Sequence, residues 1–148
     1  MTIMSTASLG LLAFIAARGY EQRLHEELRR DGFTATVAQF RLAARIDEGG
    51  SRLSDLARAA QVTKQTACFL FDQLERNGYV ERHPDPSDAR ARLIRLAPRG
   101  LAAQRAARAA EERLDAEWAD HLGPGAVAAL RTALERLRPL VDPYDAPD

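Results

Sequence analysis

The chain has 148 residues, 46% of them hydrophobic but only 6% aromatic, and its 21 basic and 21 acidic side chains cancel to a formal net charge of zero. That length holds one domain, or one domain with an extension for self-association, and the many alanines point to a thin helical core that a second subunit would complete. No apolar run reaches the roughly 20 residues of a membrane span, no convincing signal-peptide cleavage site is present, and the single cysteine excludes an internal disulfide, all of which points to a cytoplasmic protein.

The neutral total hides an uneven distribution. Residues 51–100 hold nine Lys/Arg against six Asp/Glu, and the rest of the chain holds twelve against fifteen. A basic centre between acidic flanks suits local phosphate contact, although ordinary scatter also produces such a split. Lys64 is the only lysine.

Residues 5–30 read as one long helix. Leu9, Leu12, Ile15 or Ala16, Tyr20, Leu24 and Leu28 recur every three or four positions, charged residues take much of the other side, and Asp31-Gly32 ends it. Thr36 and Gln39 are spaced as a capping box, opening a helix that carries Phe40, Ala43, Ala44 and Ile46 and stops at Gly49-Gly50. Arg52-Leu53 suits a short strand. Ser54 is placed to cap a third helix, with Asp55 in its first turn and Leu56, Ala57 and Ala60 on its apolar face. Gln61-Val62 forms a turn. Thr63 then caps a fourth helix with Ala67, Leu70, Phe71 and Leu74 at helical spacing, closed by Asn77-Gly78. Two helices across such a turn form a helix-turn-helix, whose second helix can enter a DNA major groove with its N-terminal residues facing the bases.

Tyr79 to His83 alternates as a strand, residues 84–88 read as the connecting loop because of their Pro, Asp and Ser content, and residues 90–96 resume the alternation. This is a hairpin with arginines near its tip. Pro98 suits the first position of a helix running to about Leu122, with Leu101, Ala109, Leu114 and Trp118 along one face. Gly123-Pro124-Gly125 breaks the chain. A last helix, about 126–138, carries Val127, Leu130, Leu134 and Leu137, and Pro139 and Pro143 lead into an acidic tail over 140–148 that is expected to be mobile. The terminal helices carry more apolar surface than one small monomer can hide.

The run DPSDARARLIRLAPRG resembles the wing signature of the MarR family of winged-helix transcriptional regulators, and VTKQTACFLFDQLERNGYVER resembles that family's recognition helix. The resemblance extends over nearly the whole chain, because the flanking helices also fall where the family has them. It implies a mainly α fold with a small β-hairpin wing: a winged helix-turn-helix over 34–97, with long dimerisation helices at 5–30 and 98–139. It implies a dimeric repressor of double-stranded DNA with a near-palindromic operator. It also implies release by a small aromatic or phenolic effector bound between the dimerisation helices and the DNA-reading lobe, near Tyr20, His25, Phe40 and Trp118, each of which is equally an ordinary core residue. Two positions depart from the family pattern. Ala89 stands where arginine is common, shifting wing contacts onto Arg90 and Arg92. Phe69 stands where a polar or basic residue is usual, so readout there would be apolar.

The residues expected to meet DNA are therefore Thr63, Lys64, Gln65, Thr66, Phe69, Arg90 and Arg92. Lysine can meet guanine O6/N7, glutamine can pair bidentately with adenine, and threonine can contact phosphate or a thymine methyl. Each has an ordinary alternative: Lys64, Gln65 and Thr66 as a solvated helix end, Thr63 as a cap alone, Arg90 or Arg92 as partners of Asp85 or Asp88. Cys68 lies on the recognition helix with no histidine near it in sequence, and suits tight packing better than redox sensing. No cofactor or metal-ligand spacing and no catalytic constellation is present, so no enzymatic activity is expected. The competing reading is a winged-helix interaction module with weakened DNA binding, which the neutral charge, Ala89 and Phe69 favour slightly, whereas the retained Lys64, Gln65, Arg90 and Arg92 favour the DNA-binding regulator more strongly.

Overall fold

The computed structural model describes residues 6–142 and 144. The tail positions 143 and 145–148, like residue 5, lie outside the described residues. The first helix, α1 (Leu9–Arg30), begins at the first residue of its apolar stripe, four residues after the expected bound at 5, because the Ser8 hydroxyl accepts from Leu11 N and caps it there. The capping box of α2 (Val37–Ala43) forms as its spacing indicates, Thr36 Oγ1 accepting from Gln39 N at 3.2 Å and Gln39 Oε1 from Thr36 N at 2.9 Å. This helix ends at Ala43, well before Gly49-Gly50. Arg45 and Ile46 donate to carbonyls three residues back, a tightened last turn that closes it.

Strand β1 (Ser51–Arg52) leads into α3 (Leu53–Ala59) with Arg52 at the N-cap and no side-chain cap, so Ser54 sits inside the first turn rather than before it. The sheet fixes that start: Ser51 pairs with Ile94 and Arg52 with Leu93. After the turn, where Gln61 adopts a positive φ of 55°, comes α4 (Lys64–Arg76), capped by Thr63, whose hydroxyl accepts from Thr66 N at 3.0 Å. Gly78, at φ 78°, turns the chain into the wing.

The wing is longer and tighter than the composition of residues 84–88 suggests. Strand β2 (Val80–Asp85) runs through Pro84, and β3 (Asp88–Leu96) begins at Asp88, leaving only Pro86-Ser87 as the turn. The sheet order is β1-β3-β2, so β2 is an edge strand, where a proline removes no ladder bond that the sheet needs. The register shifts between Pro84 and Asp85.

Helix α5 (Pro98–Leu122) lacks a side-chain cap at Ala97, but its start is anchored another way. Ala97 N donates to Tyr79 O at 2.9 Å, and Gly100 approaches the same carbonyl so closely that a Cβ there would lie 2.1 Å from it. The buried face of α5 is Gly100, Ala103, Ala110 and Leu114, whereas Leu101 is exposed and Ala109 faces solvent. Helix α6 (Ala126–Val141) continues through Pro139, three residues past its expected end, and Asp142 beyond it pairs with Arg45 at 2.7 Å. The core lies in the winged-helix lobe, where Leu42, Leu56, Ala67, Phe71, Leu74, Tyr79, Val80 and Ile94 form one buried cluster.

Candidate nucleic-acid interface

The first turn of α4 is held rigid while its outer side chains stay in water. Ala67, Phe71 and Leu74 bury one face of the helix. Thr63, Lys64, Gln65, Thr66 and Phe69 are all exposed, and Phe69 is 59% exposed. Thr63 does act as a cap, and its own hydroxyl hydrogen goes to Thr66 Oγ1 at 2.9 Å. The helix is further pinned to α2 by Gln39 Nε2, which donates to Gln73 Oε1 at 2.8 Å across the lobe.

Two acids on α4 would oppose an approaching polyanion, and one wing arginine bridges both, offsetting one of their two charges. Arg82 on β2 pairs with Asp72 at 2.7 Å and with Glu75 at 2.9 Å. Lys64 and Arg76 make no ion pair among the described residues, so the net field of the helix surface is positive. The Arg82 guanidinium is thereby committed to α4 rather than to solvent or a phosphate. One sign of this role is legible beforehand: two carboxylates three residues apart on a helix otherwise suited to phosphate need a compensating cation.

The hairpin tip is organised by Asp85, which is buried. Ser87 donates to it from its hydroxyl (2.7 Å) and backbone N–H (2.8 Å), and Arg52 Nε donates at 2.9 Å; these bonds hold the carboxyl pKa down to about 2. The clasp ties the wing to the N-cap residue of α3. It also decides the alternative for the wing arginines. Asp85 is occupied by Arg52 and Ser87, and Asp88 Oδ1 accepts from the backbone N–H of Arg90 at 3.0 Å. The guanidinium groups of Arg90 and Arg92 are exposed and make no ion pair among the described residues. Cys68 is half-buried, with its Sγ 4.0 Å from Asp72.

A cavity of about 390 Å³ separates this lobe from α1 and α5. His25 and Phe40 line it together with Tyr79, Leu28, Arg108 and Glu111. His25 Nε2 lies 3.0 Å from the Ala35 carbonyl, so the neutral ring carries its proton there. The His25 and Phe40 rings meet edge to face at 5.9 Å, and Phe40 meets Tyr79 at 6.2 Å. Burial, with Asp115 beside it, pushes the Glu111 carboxyl up from its ordinary value. Tyr20 and Trp118 are not among the lining residues. They stack edge to face on each other at 5.2 Å, and Tyr20 donates to Asp115 Oδ1 at 2.9 Å, bracing α1 against α5. Among the described residues no cluster of three or more His, Cys, Asp or Glu is placed to hold a metal ion, and no helix is long and apolar enough to cross a membrane.

Residues 31–91 match the sequence model of the MarR family. No curated protein sequence matches the chain at a significant level. Among solved structures, the fold is similar to the reduced form of MarR from E. coli, at 26% identity and a TM-score of 0.74 over 90% of this chain and 98% of that one. It is similar to a cysteine-to-serine variant of E. coli MarR complexed with operator DNA, at 27% identity and a TM-score of 0.68 over 87% and 92% of the two chains. A transcriptional regulator from Thermotoga maritima aligns at 25% identity and a TM-score of 0.63, covering 88% and 92%.

Proposed function

We propose, on the premise that this chain belongs to the MarR family of winged-helix transcriptional regulators, that it represses transcription by reading a near-palindromic DNA site as a cytoplasmic homodimer. The observation that carries the reading is the exposed first turn of α4 beside a wing whose arginines are left without intramolecular ion-pair partners among the described residues. Lys64, Gln65, Thr66 and Phe69 enter the major groove, Thr63 caps the helix at the backbone, and Arg90 and Arg92 reach the flanking minor groove or its phosphates. Two-fold pairing places the two recognition helices one helical turn, about 34 Å, apart.

The dimer reading is supported by the arms. Leu9, Leu12, Phe14 and Ile15 on α1 and Leu130, Leu134 and Leu137 on α6 are exposed in the single chain, and α6 buries none of its residues. Such a surface is covered by a second copy in a stable protein. The cavity at His25 and Phe40, apolar and at the junction of arm and lobe, takes a small aromatic or phenolic effector, and its filling shifts α2 relative to α1 and releases DNA.

The test is a selection of the purified protein against a random duplex library at near-physiological salt. Enrichment of a palindrome with half-sites one turn apart is expected. A folded dimer that enriches nothing, before and after refolding free of any carried ligand, would instead make the fold an interaction module.

A further inference from the structure

On α4, the apolar residues divide sharply. Ala67, Phe71 and Leu74 are buried at 1% exposure or less, whereas Phe69 stands 59% exposed. The helix packs on α2, α3 and β2, so Phe69 does not belong to the apolar surface that α1 and α6 present. It lies four residues after Gln65 and three after Thr66, on the same helical stripe. The next residues on that stripe are already engaged inside the protein: Asp72 by Arg82 at 2.7 Å, and Gln73 by Gln39 at 2.8 Å. The free part of the stripe is therefore Gln65, Thr66 and Phe69, with the phenyl ring at its inner end. Its surroundings suit a polyanion: Lys64 and Arg76 are exposed on the same helix, and with Arg82 bridging Asp72 and Glu75 the three cations outnumber the two acids.

A phenyl ring makes no hydrogen bond to a base edge. Against the cytosine amino group or a purine N7 it would strip water from a polar group and return nothing. The apolar group that an unmodified base pair offers in the major groove is the 5-methyl of thymine. We infer that Phe69 is a specificity-determining residue that selects thymine through its 5-methyl group at one position of each half-site. The inference rests on the DNA-reading function proposed above, and it names what this residue reads there. Covering one methyl changes affinity about four-fold, or about sixteen-fold when both half-sites of a palindrome are altered together.

Deoxyuridine, which differs from thymidine only by that methyl, isolates the contact. In the duplex enriched by selection, thymines are exchanged for deoxyuridine one symmetric pair at a time, and Kd is measured for the wild type, Phe69→Ala and Phe69→Leu. One symmetric pair is expected to weaken wild-type binding about sixteen-fold. Phe69→Ala should bind the thymine and uridine duplexes equally at that pair, and Phe69→Leu should retain part of the preference. A wild type indifferent to every exchange overturns the inference. So does a Phe69→Ala variant that keeps the full uridine penalty, while both results leave DNA reading intact. Failure to enrich any duplex overturns the DNA reading itself and this inference with it.

Discussion

In the winged-helix lobe, Leu56, Phe71, Leu74 and Ile94 are at most 1% exposed, while in α6 no residue is buried and Leu134 and Leu137 are about half in solvent. The charges differ in what they hold together. Along the arms, Arg23 meets Glu117 at 3.0 Å, Arg131 meets Asp115 at 2.6 Å, and Arg113 meets Glu27, so three ion pairs tie α1, α5 and α6 to one another. In the lobe, Lys64, Arg76, Arg90 and Arg92 have no ion pair among the described residues. Exposed pairs such as those of the arms contribute about 0–1 kcal/mol each, so their weight lies in setting register and in removing charge. The comparison explains why a net charge of zero misleads. The neutral sum combines arms joined by ion pairs, with an open apolar face, and a lobe whose core is closed and whose recognition helix and wing tip present cations unpaired among the described residues.

The largest test of that contrast is to break the open apolar face and leave the closed core alone. Leu134→Glu places a carboxylate in the proposed subunit interface, at a position 54% exposed in the single chain. The lobe should keep its far-ultraviolet circular dichroism and its stability to denaturant. Sedimentation should give the monomer mass, and operator affinity should fall on the order of 100-fold or more, because the second half-site no longer adds avidity. A variant that stays dimeric would move the interface away from α6.

Legibility in the sequence divides along the same line. Local features are plain there: the capping box at Thr36 and Gln39, the Thr63 cap and the glycine at 78 depend on residues within a few positions of one another. Features set by distant neighbours are not. Ser54 has capping chemistry, yet the pairing of Ser51 with Ile94 starts α3 two residues earlier, with Arg52 at the N-cap. Pro84 has loop chemistry, yet an edge strand tolerates it. On α5 the expected pattern of Leu101, Ala109, Leu114 and Trp118 holds at Leu114, which is buried, and at Trp118, which packs on Tyr20, but Leu101 and Ala109 face solvent; the helix start instead packs through Gly100, where a Cβ would collide with the Tyr79 carbonyl. Of the residues expected around an effector, His25 and Phe40 line the cavity, while Tyr20 and Trp118 brace the helices beside it. Periodicity places an aromatic ring on a face; it does not say whether that face meets a cavity or another helix.

A finer test compares one open arginine with one spent arginine. Arg90→Ala should weaken binding to the selected duplex and flatten the log–log salt dependence by about 0.9 for each phosphate that the guanidinium neutralises in each subunit. Arg113→Ala removes a guanidinium already committed to Glu27 on the arm, and should leave that slope unchanged. Equal slopes for Arg90→Ala and wild type would place the wing off the phosphates.

The smallest effect concerns the bond that closes the arms, Tyr20 to Asp115. Burial, reinforced by the hydrogen bond to Asp115 and its charge, pushes the Tyr20 phenol well above its ordinary value of 10.0. A folded-state pKa raised above the unfolded one contributes stability that is fully present below about pH 10 and is lost as pH rises beyond it, because the unfolded chain then releases a proton that the fold retains. At about pH 8, Tyr20→Phe should cost about 0.5–1.5 kcal/mol, the net worth of one hydrogen bond, and toward the lower end because Arg131 still satisfies Asp115 at 2.6 Å. Denaturant midpoints measured upward from pH 8 should show the wild type losing stability above pH 10 faster than Tyr20→Phe, so that the two curves converge. Parallel curves would mean that the phenol is solvated in the folded chain and that α1 and α5 are held together by the Tyr20–Trp118 ring contact and the surrounding ion pairs alone.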